Sequence, residues 1–429
     1  MTAMKKDKKS ACEECSGTDV VHWVHKVSAA VDTASRYLSQ PFKKIAHLAS
    51  RPINIFCDYI FPRVFRLLAK IGIGKVMLEP DERDSMRSKM MWTSGDKRGI
   101  KVFQYRLFDN PANIFWAEYG GEKITFEALP RPKGYTSEAL DWMDDKGVIK
   151  EIFQKNGVPT ARGGRFFSFQ SLRKQFYELE KPVIVKPSVG SRSRHTTIHI
   201  HNEDMLQKAF ASAKKLSPFV ILEEELRGSV FRIDLLGGKV AGILRRDPPF
   251  VFGDGILTIR ELIMKENQNP KRHGIFHDIP IDEYTKRELQ NQGLSLLSVP
   301  EKGRKIMLHP KVGRTQGGTN ANVRKDAHED NIRLFERIAE VLADPLIGVD
   351  FIMEDINTSW RKQSRFGVIE CNSIPFLDLH HFPYEGEPVD MMSELWEVVF
   401  PKVLMGTEKK MTETLEPVHN LAGTRGKKY

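Results

Sequence analysis

Two apolar runs near the C-terminal end carry oxygen donors where a buried strand would be expected to stay apolar: GVDFIMEDI from Gly348 and GVIECN from Gly367. Side chains alternate across a strand, so Glu370 and Asn372 project to one face, and Asp350 on the neighbouring run can present a third oxygen there. Oxygen-only donors suit Mg²⁺, which takes one or two carboxylates and completes its shell with water and phosphate oxygens. A Glu and an Asn two apart are common by chance, so the pair needs support from the rest of the chain.

That support is basic. Lys186 closes VIVKP, an apolar run of the kind a buried strand contains, and is followed by SVGSRSRHTT, a loop rich in backbone donors, hydroxyls and guanidinium groups. Gly190, Ser191, Arg192 and Ser193 of that loop could cover phosphates. Lys146, in DDKGVIKEIF, precedes a helix and could reach a second phosphate. Arg245 and Arg246 end a strand and could stabilise an anionic transition state. Taken singly, each is as well explained as a solvated or salt-bridged charge; their order along the chain gives them weight.

Between these residues strands and helices alternate, which predicts an α/β fold made of α+β subdomains. KVFQYRL from Lys101 reads as a strand, and IFWAEYGGEKITFEA as a hairpin turning at Gly120 and Gly121. RFFSF (165–169), VIVKP (183–187), TTIHI (196–200) and FVILEE (219–224) read as strands, with helices at 172–179, from 203 and at 331–342. VFRIDLLGGKVAGILRR reads as a second hairpin. At 429 residues and 40% hydrophobic content the chain can build one large or two ordinary cores. No stretch approaches the roughly twenty apolar residues that cross a bilayer, and MTAMKKDKKS leads into no signal-like apolar region. Four cysteines are too few for a disulfide framework, so a cytoplasmic setting is expected.

The net charge of +10 raises the question of nucleic acid. Its distribution argues against that: residues 1–75 hold thirteen Lys/Arg against six Asp/Glu, while the rest holds 53 against 50. The basic leader carries Val20, Val24, Val27, Val31, Ala34 and Leu38 at alternating four and three, one apolar stripe on a helix. Pro41 and Pro52 are expected to punctuate it before a second apolar stretch at 53–71 with Pro62 inside. A helical hairpin packed on the body or a dimer contact through residues 20–75 is the favoured reading. The alternative is a peripheral element lying on a membrane surface. Cys12, Cys15, His22 and His25 have zinc-ligand chemistry, but their spacing is shorter than a usual finger, and chance is favoured.

The succession Lys146, VIVKP, ILEEELRG, FRIDLLGGKVAGILRRDPPFVFGDGILTIRELI, QGGTNANV, GVDFIMEDI, VIECN and HFPYEGEP closely resembles the ATP-grasp family, within it the ATP-grasp part of cyanophycin synthetase and of bifunctional glutathione synthetases. The resemblance covers residues from about 141 to 402. It implies two α+β subdomains holding ATP between them, and divides the chain into a leader (1–75), a small α/β unit (76–140), an ATP-grasp domain (141–405) with a nucleotide-covering subdomain at about 146–225, and a disordered tail (406–429). It implies Lys146 and Lys186 as nucleotide-phosphate lysines, and Leu222, Glu223 and Glu224 at the adenine-side linker. Asp350, Glu370 and Asn372 become ligands of Mg²⁺, two ions with Mn²⁺ as a substitute, and Arg246 stands near the transferring phosphate. His380, Pro383 and Gly386 continue the pattern. The implied activity is ADP-forming ligation of a carboxylate to an amine, on small-molecule or peptide substrates. A phosphotransferase or a non-catalytic nucleotide binder are the rivals. The departures are Ser193 and His195 where loop glycines are expected, Val230 where an acidic residue commonly binds ribose, Gly313 where an Asn is expected, and Phe376 in place of a Gly.

Overall fold

The computed structural model describes residues 12, 21–39, 43–107, 113–135, 138–190, 194–272 and 275–401. The tail expected at 406–429, and the loop residues Ser191, Arg192 and Ser193, lie outside them. The chain divides into two compact units: Met1–Ile53, Thr136–Arg245 and Val323–Pro375 in the first, and Asn54–Tyr135, Arg246–Asn322 and Phe376–Tyr429 in the second.

The first unit contains two sheets. The smaller orders its strands Gly163–Phe166, Val220–Glu224, Val183–Pro187, Thr197–Ile200, every neighbour antiparallel. Its apolar face is covered by the helices Phe169–Glu178 and Glu203–Ala213, and Leu172, Phe176, Val183, Val185, Leu206 and Leu222 form the core between them. Ser168 and Asn202 start these helices by accepting the free N–H groups of Ser171 and Met205. The strand expected at 165–169 ends at Phe166 because Ser168 begins a helix there.

The larger sheet runs Lys239–Asp247, Ser229–Leu236, Leu346–Met353, Gly367–Asn372. Leu346–Met353 is antiparallel to both its neighbours and buried along nearly its whole length, with Val349, Phe351 and Met353 on the core side. Helix Glu329–Leu342 contacts this sheet, with Phe335 edge-on to Phe351. Gly228 enters the sheet at φ +110°, where a Cβ would come within 2.1 Å of the Met353 carbonyl oxygen; only glycine fits.

In the second unit Lys75–Met77, Lys101–Arg106, Ile114–Tyr119 and Glu122–Glu127 form an antiparallel sheet, with the expected hairpin at Gly120 and Gly121. Helix Met391–Val399 packs on Met86–Lys97, and the Trp396 indole N–H donates to the Met91 carbonyl at 3.1 Å. A smaller core gathers Val251, Ile259, Ile263, Leu289 and Ile306.

The leader departs from expectation twice. Helix Lys43–Lys70 runs through both Pro52 and Pro62. Each proline removes one helical N–H, a local cost. Tertiary bonds outweigh it: buried Asp58 accepts the Thr125 N–H at 2.7 Å, and Phe65 stacks on Tyr105. In helix His22–Ser39 the valine stripe does not pack on the body. Val24, Val27 and Val31 stay about half exposed, and Ala29 is the buried position. The face turned inward carries His25, Ser28 and Ala29, which line a cavity described below.

Candidate active site

Register explains the acidic centre. Glu370 lies directly across from Asp350, and Asp350 directly across from Arg232 on the third strand, so one row crosses the sheet as carboxylate, carboxylate, guanidinium. Arg232 and Asp350 form an ion pair, Nε standing 2.7 Å from Oδ1 and Nη2 donating to Oδ2 at 3.4 Å, with both side chains more than nine-tenths buried. Asp234, two residues along the same strand, is also buried. Burial would lower the Arg232 pKa, but the Asp350, Asp234 and Glu370 charges outweigh it and raise it. Gly348, across from Asn372, leaves room for this arrangement: a Cβ there would stand 2.5 Å from an Arg232 nitrogen.

Glu370 is in hydrogen-bond contact with Asp350 and pairs with the Lys146 ammonium at 3.2 Å. Burial would raise its carboxyl; the Lys146 charge, the Asp350 contact and Arg232 outweigh that and hold it at about 2. Two carboxylates in contact repel unless a proton or cation lies between them. With the Asn372 amide beside them, the donors are all oxygen, and the set fits Mg²⁺. Cys371 is buried between these residues in sequence; burial first, then the Asp350 and Glu370 charges, push its thiol well up.

The lysines are fixed in different ways. Lys146 opens helix Lys146–Lys155, whose N-cap Asp145 accepts the Gly147 and Val148 N–H groups. Its Nζ donates to the Gly190 carbonyl at 2.6 Å, and its backbone N–H to Ser188 O at 3.2 Å, so the start of the phosphate loop is tied to the helix start. Lys186, on the smaller sheet, forms a short ion pair with buried Glu223, whose other oxygen takes Lys150 Nζ at 3.0 Å. Burial lowers the Lys186 pKa against the opposing pull of Glu223. Burial would raise Glu223, but Lys186 and Lys150 together hold it at about 2. A depressed carboxyl contributes stability that is complete above the ordinary Glu pKa and is lost as pH falls toward the folded value. The stability gap between wild type and Glu223→Gln, read from urea unfolding, is therefore expected to be full near pH 6 and to shrink steadily below about pH 4.5.

Other predicted residues have different partners. Leu222 packs into the small-sheet core on the face opposite Glu223. Glu224 accepts the Glu180 N–H at 3.0 Å and pairs with Arg162 at 3.3 Å. Arg246 donates to the Val312 carbonyl at 3.4 Å within the second unit, while Arg245 closes the preceding segment of the first. Also in the second unit, Phe376 lies under the Arg87 and Arg314 guanidinium groups.

A cavity of about 320 Å³ reaches Glu370 at the end of the acidic row and is also lined by Asp144, Lys146, Gly190, Arg194 and Asn372. His25, Ser28 and Ala29 of the leader helix line the same cavity. Asp144 also accepts the Ser373 N–H and hydroxyl at 3.2 and 2.9 Å, anchoring the turn after the Glu370 strand. Sequence reasoning missed Arg232, Asp234, Lys150 and Asp144. The signal for the first two was present: R-x-D inside the apolar run VFRIDLL places two opposite charges on one face of a buried strand.

No family model matches the chain. Among curated proteins it is 29% identical over 289 residues to cyanophycin synthetase of Trichormus variabilis, covering 66% of this chain and 31% of that protein. It is 28% identical over 315 residues to the glutathione biosynthesis bifunctional protein GshAB of Clostridium perfringens, covering 71% and 40%. The chain thus spans about a third of the length of the first of these relatives. Among solved structures, a bifunctional glutathione synthetase from Pasteurella multocida superposes with a TM-score of 0.56 at 23% identity, over 74% of this chain and 43% of that one. No described helix is long and apolar enough to cross a membrane. The chain is thus similar to these curated relatives over about two thirds of its length and shares the fold of that glutathione synthetase, in keeping with the ATP-grasp resemblance of its motifs.

Proposed function

We propose that this chain is an ATP- and Mg²⁺-dependent ligase that joins a carboxylate to an amine, releasing ADP and phosphate, with an amino acid or peptide as substrate. The observation that carries the reading is the single row Glu370, Asp350, Arg232, with Lys146 paired to its outer carboxylate beneath a cavity of about 320 Å³. Phosphoryl transfer needs little beyond positioning and charge neutralisation, and both are built into this row.

In this reading Asp350, Glu370 and Asn372 hold Mg²⁺, two ions with Mn²⁺ able to substitute. When bound, the metal neutralises phosphate oxygens as charge shifts toward the leaving ADP. Lys146 and Gly190 set the loop over the phosphates, and Lys186, kept straight by Glu223, offers its ammonium from the opposite strand. The γ-phosphoryl moves to a substrate carboxylate oxygen, giving an acyl phosphate and ADP. The amine nitrogen then attacks the acyl carbon, phosphate leaves, and the amine gives up a proton. Arg246 is assigned to the negative charge of that step.

The test is ADP release on incubation with ATP, Mg²⁺ and a panel of amino acids and short peptides, products being read by mass spectrometry. Turnover is expected to require both an acid and an amine, and Glu370→Ala is expected to abolish it. ADP release with a stable phosphorylated product and no amine requirement would point to a phosphotransferase instead. Undiminished turnover in Glu370→Ala would overturn the site assignment.

A further inference from the structure

One cluster of metal-ligating side chains lies outside the acidic row. Cys12 Sγ stands 3.7 Å from His195 Nε2, and His195 Nε2 stands 3.2 Å from His22 Nε2. All three atoms lie within 4.8 Å of one another, although the residues are separated by up to 183 positions. We propose that Cys12, His22 and His195 form a Zn²⁺ site that fastens the leader helix to the phosphate loop.

Geometry supports this. Zn–N bonds of about 2.05 Å and a Zn–S bond of about 2.3 Å at tetrahedral angles put two nitrogens about 3.3 Å apart and nitrogen and sulfur about 3.6 Å apart. The observed edges are 3.2 and 3.7 Å. The two imidazole rings meet at 88° with centroids 5.0 Å apart, so the rings do not stack, and their Nε2 atoms are the ones that approach.

Orientation supports it too. His195 is fully buried, and its Nδ1 lies 2.9 Å from Ser212 Oγ on the helix Glu203–Ala213. If Nδ1 carries the proton and donates it to that hydroxyl, Nε2 is left with its lone pair toward the cluster, the usual outer-shell arrangement for a ligating histidine. The backbone of His195 is left-handed, φ +51°, a conformation costly for a residue with a Cβ, and a bound ion would offset that cost. Binding displaces one proton, that of the Cys12 thiol, while the two imidazoles bind as neutral rings. Three protein ligands leave the fourth position to water.

The position of the site matters. One to two turns after His22, the same helix places His25, Ser28 and Ala29 along the cavity that Lys146 and Glu370 line. Metal at Cys12, His22 and His195 would fix that helix over the cavity.

The full chain, stripped with a chelator, would be titrated with Zn²⁺ by calorimetry and with Co²⁺ by absorption spectroscopy. One equivalent of Zn²⁺ and a thiolate-to-cobalt charge-transfer band are expected. Cys12→Ser removes a ligand outside the folded sheets, and His195→Gly places the residue best suited to the left-handed backbone. Each is expected to abolish the band and to weaken Zn²⁺ binding by more than the roughly 100-fold that loss of an outer-shell partner costs. Glu370→Gln is expected to leave both unchanged, which separates this site from the acidic row and the outcome from that of the ligase reading. Absence of the thiolate band, or Zn²⁺ binding that survives Cys12→Ser, or loss of binding in Glu370→Gln alone, would overturn the proposal.

Discussion

Replacing Lys186 by methionine is expected to lower ADP-forming turnover by about 10²–10³-fold, the usual cost of removing one preorganised charge from a developing anion. Methionine keeps the length of the aliphatic stem. Glu223 keeps Lys150 as its partner at 3.0 Å, so the buried carboxylate is not left without a counter-charge. The loss is therefore expected in kcat more than in stability, with the urea midpoint moving much less than the rate. Steady-state kinetics with saturating Mg²⁺·ATP, beside an unfolding curve for the same variant, checks both halves. Turnover within a few-fold of wild type would remove Lys186 from the machinery.

The second large effect falls on stability. Arg232→Leu leaves Asp350, Asp234 and Glu370 gathered on two adjoining strands and their neighbour without the guanidinium that lies among them. Taking one partner from a buried ion pair costs about 3–5 kcal/mol. A divalent cation bound by the same carboxylates would restore positive charge there, and a ligand that binds only the folded state stabilises it by mass action. The destabilisation is thus expected to be largest in chelator and to shrink as Mg²⁺ is added, by a margin the wild type does not show. Urea unfolding of both proteins with and without Mg²⁺ measures it. A loss that does not depend on Mg²⁺ would detach Arg232 from the metal role given to Asp350 and Glu370.

Much of the site was legible because its donors sit on strands, where spacing translates directly into facing. Glu370 and Asn372 share a face as alternation requires, and the helix expected at 331–342 runs over Glu329–Leu342. What the sequence concealed came from pairing. Arg232 could be read as a charge on a buried strand, but that it opposes Asp350 follows only from which strands adjoin and in what register. The Glu223 bridge to Lys150 and Lys186 needed a helix, and the strands Val183–Pro187 and Val220–Glu224, brought together. The leader departs from its stripe for a related reason: a valine stripe predicts an inward face only if something apolar waits for it, and the residues of this helix that line the cavity are His25, Ser28 and Ala29. Likewise no local spacing could show that His195, 173 residues beyond His22, stands beside it.

The pairing of the two acidic strands holds one irregularity. Asp350 opposes Glu370, yet Phe351 opposes Val368, so Ile369 is an extra residue on its strand. Ordinary alternation would put Val368 and Glu370, two apart, on the same side; Asp350 and Phe351, which are adjacent, face opposite sides. The bulge thus lets Val368 enter the core while Glu370 reaches the carboxylate row. The phase of that row is therefore carried within the strand itself, and the segment from Asn357 to Arg365 that joins the two strands does not set it. Lengthening or trimming that connection during evolution would leave the ligands in step, and deleting the extra residue Ile369 would make Val368 and Glu370 neighbours that alternate as Phe351 and Asp350 do, so the row would keep its phase and only the bulge would be lost.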